Sequence, residues 1–359
     1  MIELREGKAI DVLRDDGDAV ELLVECGGKQ VKAVCYPALT GPVSPGDTLL
    51  LNTTAVRLEL GSGGRHFVAA NLSSPEKELS PSNGHIMKLR YTPSQCRAAC
   101  AEEEGSPHRA AIESFNSLAG APVIIGGLHS MVAPVCAALK SARPKINIVY
   151  IMTDGACLPL AFSRTARALK DKGIISATVT CGNAFGGDIE TVTKFSALAA
   201  ARSALAADAI VVAMGVGIAG TGTRLGHAGL EVGEWINAAA ALGGTPVVVP
   251  RLSFADERER HRGVSHHTLS ALTVAALARA RVALPLLPPD QASLVKQQLA
   301  ESGAAARHDI VEADGSAAVP ALEQASIRVT TMGRGPDADP AFFLACGAAA
   351  SVAERLLSR

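Results

Sequence analysis

Four glycine-rich polar segments each follow an apolar run directly, and they hold most of the residues suited to chemistry. They are Gly126-Gly127-Leu128-His129-Ser130, Thr153-Asp154-Gly155, Thr180-Cys181-Gly182-Asn183, and the long series from Gly215 through Gly217, Gly220, Gly222, Arg224 and Gly226 to His227. Gly215, Gly217 and Gly220 spell a formal G-x-G-x-x-G. A dinucleotide site needs its helix to begin inside that motif, so that N–H groups meet the pyrophosphate, and here a helical pattern resumes only near Leu230. No Lys-Ser or Lys-Thr follows, which excludes a P-loop. The series can still present backbone N–H groups to an anion as a nest, with Arg224 and His227 as charge or donors. Glycines that only satisfy turn geometry would give the same composition.

A fifth segment, Arg251 to Ser265, is long for a connection in a compact domain and concentrates charge: Arg251, Asp256, Glu257, Arg258, Glu259, Arg260, His261 and Arg262. It reads either as a mobile charged lid or as a solvated turn in which Asp256 and Arg260 pair at i, i+4. Ser265 is placed to cap the helix that follows, which puts His266 and His267 in the first turn, where the positive helix end keeps imidazole neutral. These two with Asp154, Asp256 or His129 would make a conceivable metal site. No H-E-x-x-H or similar ligand spacing exists, so no metal ligand is assigned and no cofactor is identified. Lys88 and Arg90 are alternate residues and on an extended segment would share one face, either overhanging the cleft or blunting an edge strand. There is no G-x-S-x-G elbow, and Cys181 reads as a packing residue rather than a thiolate.

These segments need a scaffold that gathers them. From residue 1 to about 72, short strands alternate with turns at Asp15–Asp18, Cys26–Lys29 and Pro45–Asp47, the pattern of a small antiparallel β barrel or sandwich of five or six strands. Residues 73–93, with Pro75, Pro81 and Asn83, read as a linker and connecting segment. Residues 94–359 alternate apolar strand candidates (122–125, 146–152, 174–180, 209–214, 246–249, 282–284, 309–311, 327–330) with helical ones (131–141, 158–172, 189–206, 230–242, 266–279, 291–302, 341–357). Continuous apolar strands between helices predict an α/β fold: a three-layer, Rossmann-like, mostly parallel sheet buried on both faces. In such a sheet ligands bind outside the carboxyl ends of the strands, which is where the four glycine-rich loops fall.

Composition narrows the function classes. With 359 residues, a net charge of -1 and only 19% charged residues, the chain lacks the basic footprint of a nucleic-acid binder, and 3% aromatics leave few stacking platforms. The most apolar stretch, Ala197 to Ile218, is interrupted by Arg202 and Asp208, so no membrane span is expected. The N-terminus lacks the basic-then-apolar order of a secretory signal, and the eight cysteines contain no C-x-x-C, so a cytoplasmic location is expected. Low charge is compatible with a homo-oligomer.

Residues 83–92, Thr153-Asp154-Gly155, 220–227 and 262–267 together resemble an uncharacterised bacterial domain-of-unknown-function family over nearly the full length. The resemblance implies a stand-alone cytoplasmic bacterial protein and brings no catalytic residues. The residues themselves suggest an enzyme acting on a small anionic metabolite, phosphorylated or nucleotide-like. Asp154, His227 and His266 are its candidate proton-transfer groups. His129, Gly215, Gly217, Gly220, Gly222, Arg224, Lys88, Arg90 and Arg262 are its candidate binding groups. The alternative is a non-catalytic binding or sensor module using the same cleft.

Overall fold

A computed structural model describes residues 1–78, 82 and 84–357. Pro81 and Asn83, which the sequence assigns to a linker, lie outside the described residues. The chain divides into two compact units, Met1–Asn83 with Leu89–Arg97, and Gly84–Lys88 with Ala98–Arg359.

The first unit is a closed five-stranded barrel in the order β1 (Leu4–Asp15), β2 (Val20–Cys26), β3 (Lys29–Cys35), β5 (Arg65–Asn71), β4 (Thr48–Asn52). The β2–β3 turn needs left-handed backbone at both central positions, which Gly27 and Gly28 supply at φ 59° and 75°. Inward residues alternate along the strands (Val20, Leu22, Val24; Leu49, Leu51) and form the core. The expectation of an antiparallel barrel needs one amendment: β3 and β5 pair in parallel, and this pair closes the ring.

The second unit opens with β6 (Ile86–Lys88), contains Ala98 at the end of β7 (Cys96–Ala98), and is dominated by an eight-stranded sheet. Its strands are β8 (Pro122–Gly126), β9 (Ile148–Thr153), β10 (Ala177–Thr180), β11 (Ile189–Glu190), β12 (Ala209–Met214), β13 (Thr245–Val249), β16 (Arg281–Pro285) and β17 (Asp309–Ala313). Their order is β11-β10-β9-β12-β8-β13-β16-β17, and every pairing is parallel. Two-residue strands β14 (Leu252–Ser253) and β15 (Gly263–Val264) pair antiparallel in the loop after β13.

The central strands β8, β9, β12 and β13 read as unbroken apolar runs because each serves two cores. Ile124, Tyr150 and Val211 face helices Val132–Ala142, Ala318–Gln324 and Pro340–Leu357. Their neighbours Val123, Ile125, Val149, Ile151, Ile210 and Val212 face the other side, with Leu198, Trp235, Leu272 and Leu299. This is the three-layer α/β sandwich that the sequence predicts.

Four elements differ from the sequence pattern. Residues 327–330 form no strand; the run ends in a Thr331–Arg334 bridge. Ile189 and Glu190 start no helix and form the edge strand β11, with Lys194–Ala199 as the helix that follows. The 158–172 pattern contracts to Arg164–Asp171, capped by the Ser163 hydroxyl, which accepts from the Ala166 N–H. The helix at His266–Ser270 continues only through a π-type turn, Ala271–Ala275. The 197–218 region divides among helix Lys194–Ala199, a π-type turn and β12, and a further apolar helix is Pro340–Leu357. It alone among the described helices is long and apolar enough to cross a membrane, yet 61% of it is buried against the sheet unit, as a core helix is.

The helices that carry site residues are locked together at one close approach. A Cβ on Gly233, in helix Glu231–Ala241, would lie 2.5 Å from the Ala275 Cβ and the Ala276 N. Asn237, one turn on, donates to the Ala275 carbonyl at 3.0 Å and accepts from the Leu277 and Ala278 N–H groups at 2.7 and 3.0 Å. Neither partner at Gly233 is a flexible tip, so Gly233→Ala is expected to destabilise this unit by about 1–3 kcal/mol, read from its denaturation midpoint.

Candidate functional site

Because the strands are all parallel, every loop leaving a carboxyl end emerges on one rim. The loops at 126–130, 153–155, 215–227 and 251–267 follow β8, β9, β12 and β13, which stand as four immediate neighbours, β9-β12-β8-β13. The sheet topology therefore gathers the candidate loops as the strand-end argument requires.

The glycine-rich segment is a folded hairpin rather than an open cradle. Gly220 bridges His227, the Thr221 N–H donates to the Gly226 carbonyl at 2.8 Å, the Gly226 N–H to Thr223 Oγ1 at 3.0 Å, and the Ala228 N–H to the Ala219 carbonyl at 2.9 Å. These N–H groups are spent inside the loop. Gly215 lacks room for a side chain against the Cys157 carbonyl, and Gly217 and Gly222 sit at φ 98° and 81°. The effect of the hairpin is to carry His227 back beside Gly220, where the His267 ring also lies: a Cβ on Gly220 would be 3.4 Å from both the His227 Cβ and His267 Nε2.

His227 thereby joins His261, His266 and His267. The rings of His227 and His267 stack with centroids 4.0 Å apart; His266 lies 4.4 Å from His267 and 5.4 Å from His227; His261 lies 5.0 and 5.1 Å from His266 and His267. Ser265 organises the second half of the cluster. Its hydroxyl caps the helix by accepting from the His267 N–H and sits 2.7 Å from His261 Nδ1. Burial lowers the affinity of all four rings for a proton, pushing His261 down to about 3 and His267 to about 2, with nearby arginines adding to the effect on His261, His266 and His267. His227, His266 and His267 each offer a ring nitrogen within 4.8 Å of the others', a donor set suited to a transition metal. A cavity of about 20 Å³, lined by Gly127, Leu128, Gly229, Val232, Arg251 and His267, leaves room for about one water beside them.

The loop at 251–265 is pinned. Asp256 is 7% exposed and accepts from Arg251 at 3.2 Å, from Arg258 at 2.8 Å through two nitrogens, and from Arg334 at 3.5 Å. Arg334 also binds Asp339, which takes the Ser253 hydroxyl at 2.8 Å. The hydrogen bonds from Arg258 hold the Asp256 carboxyl far below the usual range. Asp256 is therefore unavailable to Arg260 and to any metal. Arg224, Arg260 and Arg262 are exposed, and no carboxylate partner is recorded for them among the described residues.

The remaining candidates separate. Both ring nitrogens of His129 are occupied, Nδ1 by the Tyr150 hydroxyl at 3.3 Å and Nε2 by the Ser163 hydroxyl at 2.8 Å, and burial pushes its pKa down to about 4. Lys88 is 1% exposed and committed to Glu190 and the Ala184 carbonyl, so it is closed to a ligand. Lys88 and Arg90 do not share a strand face, because β6 ends at Lys88 and Leu89 and Tyr91 take left-handed φ of 52° and 60°. Arg90 is exposed and belongs to the first unit. Asp154 is exposed and accepts from the Asn183 N–H at 3.0 Å.

One residue that sequence reasoning passed over is Glu231, the first residue of its helix, four residues after His227. It accepts from Thr153 Oγ1 at 2.7 Å, packs against Gly155, and is pushed up to about 7, burial being the main cause. Its only sequence signal was an acidic first-turn position in a loop-to-helix junction, which is ordinary helix chemistry.

A family described as "Protein of unknown function (DUF3866)" matches residues 32–350, from within β3 to the last helix. The chain belongs to the DUF3866 family. No curated protein and no solved structure matches it. The candidate site lies wholly inside the DUF3866 match, whereas β1, β2 and the first residues of β3 lie outside it.

Glu231 supplies a pH test. With its folded pKa raised from 4.5 to about 7, its contribution to stability is fully present below pH 4.5 and is lost as pH rises through about 7. Glu231→Gln should match the parent protein at pH 4.5 and exceed it at pH 8 by on the order of 1–3 kcal/mol, read as a higher thermal midpoint at the higher pH only.

Proposed function

We propose that the protein is an enzyme acting on a small anionic metabolite, phosphorylated or nucleotide-like, bound at the carboxyl rim of the parallel sheet. The observation that carries this reading is the imbalance of polar groups there. The buried charges Asp256 and Lys88 are paired, while the rim also presents exposed arginines without carboxylates near imidazoles that each keep one nitrogen without a partner. A site of that composition favours an anion. Arg260 lies against Gly222, with its guanidinium carbon 3.6 Å from where a Cβ would stand, and its charge acts on His266, while the Arg224 backbone carbonyl accepts from His227 Nε2 at 3.2 Å.

Proton transfer falls to Glu231, whose carboxyl takes up and releases a proton near neutrality in a partly buried position at the end of β9. Its presence favours an enzyme over a sensor, which needs affinity but no group poised to exchange protons. A cytoplasmic setting belongs to the same reading: all eight cysteines are free, and burial pushes Cys100, Cys157 and Cys181 up to about 12. The bacterial source rests on the family resemblance.

The test is a thermal-shift series with inorganic phosphate, nucleotides and sugar phosphates. A ligand present at 100 times its Kd should stabilise the folded state by about 2.7 kcal/mol. Arg224→Ala/Arg260→Ala should lose at least tenfold in affinity while keeping the unliganded midpoint. Absence of any response, or an identical response in the double variant, removes this reading.

A further inference from the structure

His227 and His267 are 7% and 9% exposed, and His266 is partly buried. In each ring one buried nitrogen has no hydrogen-bond partner: Nδ1 of His227, Nε2 of His266 and Nδ1 of His267. Leaving a buried polar atom unsatisfied is costly, and here three such atoms fall in neighbouring rings; the other partnerless buried oxygens of this unit, Glu102 Oε2 and Asp339 Oδ1, stand apart and belong to carboxylates whose second oxygen is paired. Three explanations compete. Ring stacking accounts for the packing of His227 on His267 but satisfies no lone pair. Hydrogen bonds between the rings would require alternating donors and acceptors, and no such bond forms. A cation accepting the lone pairs removes all three deficits together.

From this geometry we infer that His227, His266 and His267 form a three-histidine site for one zinc-class divalent transition metal, with a coordination position left open for a small anion.

The details support a ligand set. His227 Nε2 donates to the Arg224 carbonyl at 3.2 Å, which fixes the proton on Nε2 and turns the Nδ1 lone pair inward, as outer-shell partners do for metal-bound imidazoles. Ser265 holds the helix end that carries the other two ligands. Tetrahedral zinc at about 2.0–2.1 Å from each nitrogen sets donors roughly 3.3 Å apart. Donors within 4.8 Å reach that by ring rotation of the adjacent His266 and His267 and a small shift of the 219–228 hairpin. Neutral imidazole selects zinc, cobalt, nickel or copper over magnesium and calcium, which take hard oxygen donors.

Three protein ligands rather than four is the pattern of sites that keep a place for water or substrate. The surrounding charge says what fills it. Arg251 and Arg258 share the single Asp256 carboxylate, and their fields act on His266 together with that of Arg260, which has no carboxylate partner among the described residues. A bare divalent cation is disfavoured beside that arginine, and an anion on the metal relieves the repulsion. The inference shares its rim with the proposed enzyme reading, but metal binding stands without any substrate, so the two fail separately.

The full-length protein, stripped with chelator and dialysed, would be titrated with zinc, cobalt and magnesium, following stoichiometry by elemental analysis, the cobalt visible spectrum and the thermal midpoint. One zinc or cobalt per chain is expected, with a tetrahedral cobalt spectrum, a raised midpoint and no response to magnesium. His266→Ala, whose side chain is the least buried, and the milder His266→Gln should each lower zinc affinity at least about 100-fold while retaining the circular dichroism of the parent; His108→Ala, outside the cluster, should bind as the parent does. Inorganic phosphate should perturb the cobalt spectrum of the parent. Failure of the stripped protein to bind zinc below millimolar concentration, or unchanged stoichiometric binding in both His266 variants, overturns the site. A phosphate response that persists in the absence of metal while zinc binding fails would leave the anion reading standing alone.

Discussion

Every functional feature of the second unit depends on eight strands running the same way. Parallel pairing forces each connection to cross the sheet before returning, so all carboxyl ends open on one rim and all helices must cover the faces. The chain order adds a second constraint. β12 inserts between β9 and β8, and β13 lies beyond β8, so loops distant in sequence leave adjacent strands. His227 comes from the loop after β12 and His266 and His267 from the helix after β13. Only this ordering brings them within one ring diameter of each other.

The polar accounting of the unit divides into two regimes. In one, every buried charge has partners: Lys88 is enclosed by Glu190 and the Ala184 carbonyl, and Asp256 takes three arginines. Such pairs give geometric specificity more than net energy, since desolvation consumes most of the Coulomb attraction. At the rim the compensation stops. The imidazoles and the Glu231 carboxyl retain unsatisfied or weakly satisfied groups in partly dry surroundings, the environment in which a ligand gains most from completing the set.

The architecture was legible because it is written in period and composition. Unbroken apolar runs such as Ile148–Thr153 and Ala209–Met214 could only be strands covered on both faces, and Gly27-Gly28 could only be a tight hairpin. The misses have local causes. Ile189-Glu190 is too short to show a period, and residues 327–330 have β-branched character but pair with no strand among the described residues. The Lys88–Arg90 pairing failed on backbone conformation, which alternation cannot foresee when Leu89 and Tyr91 turn left-handed. The site was legible only in part. The sequence located the loops and picked out His227 and His266, but a ligand set drawn from two loops about 40 residues apart has no linear spacing to recognise. Glu231 drew no notice because its environment is made by Thr153 and Gly155, distant in the chain.

The knot around Asp256 also sets the direction of traffic. Opening the segment after β13 would strip a buried carboxylate of three guanidinium groups and detach Ser253 from Asp339, a cost of about 3–5 kcal/mol for the first partner alone. The hairpin at 219–228 carries no comparable anchor: its hydrogen bonds are internal, and Thr221 through Leu225 are exposed. The segment after β13 is thus a fixed anvil for the histidines and the glycine hairpin is the yielding side, so molecules entering or leaving them would pass by way of the glycines.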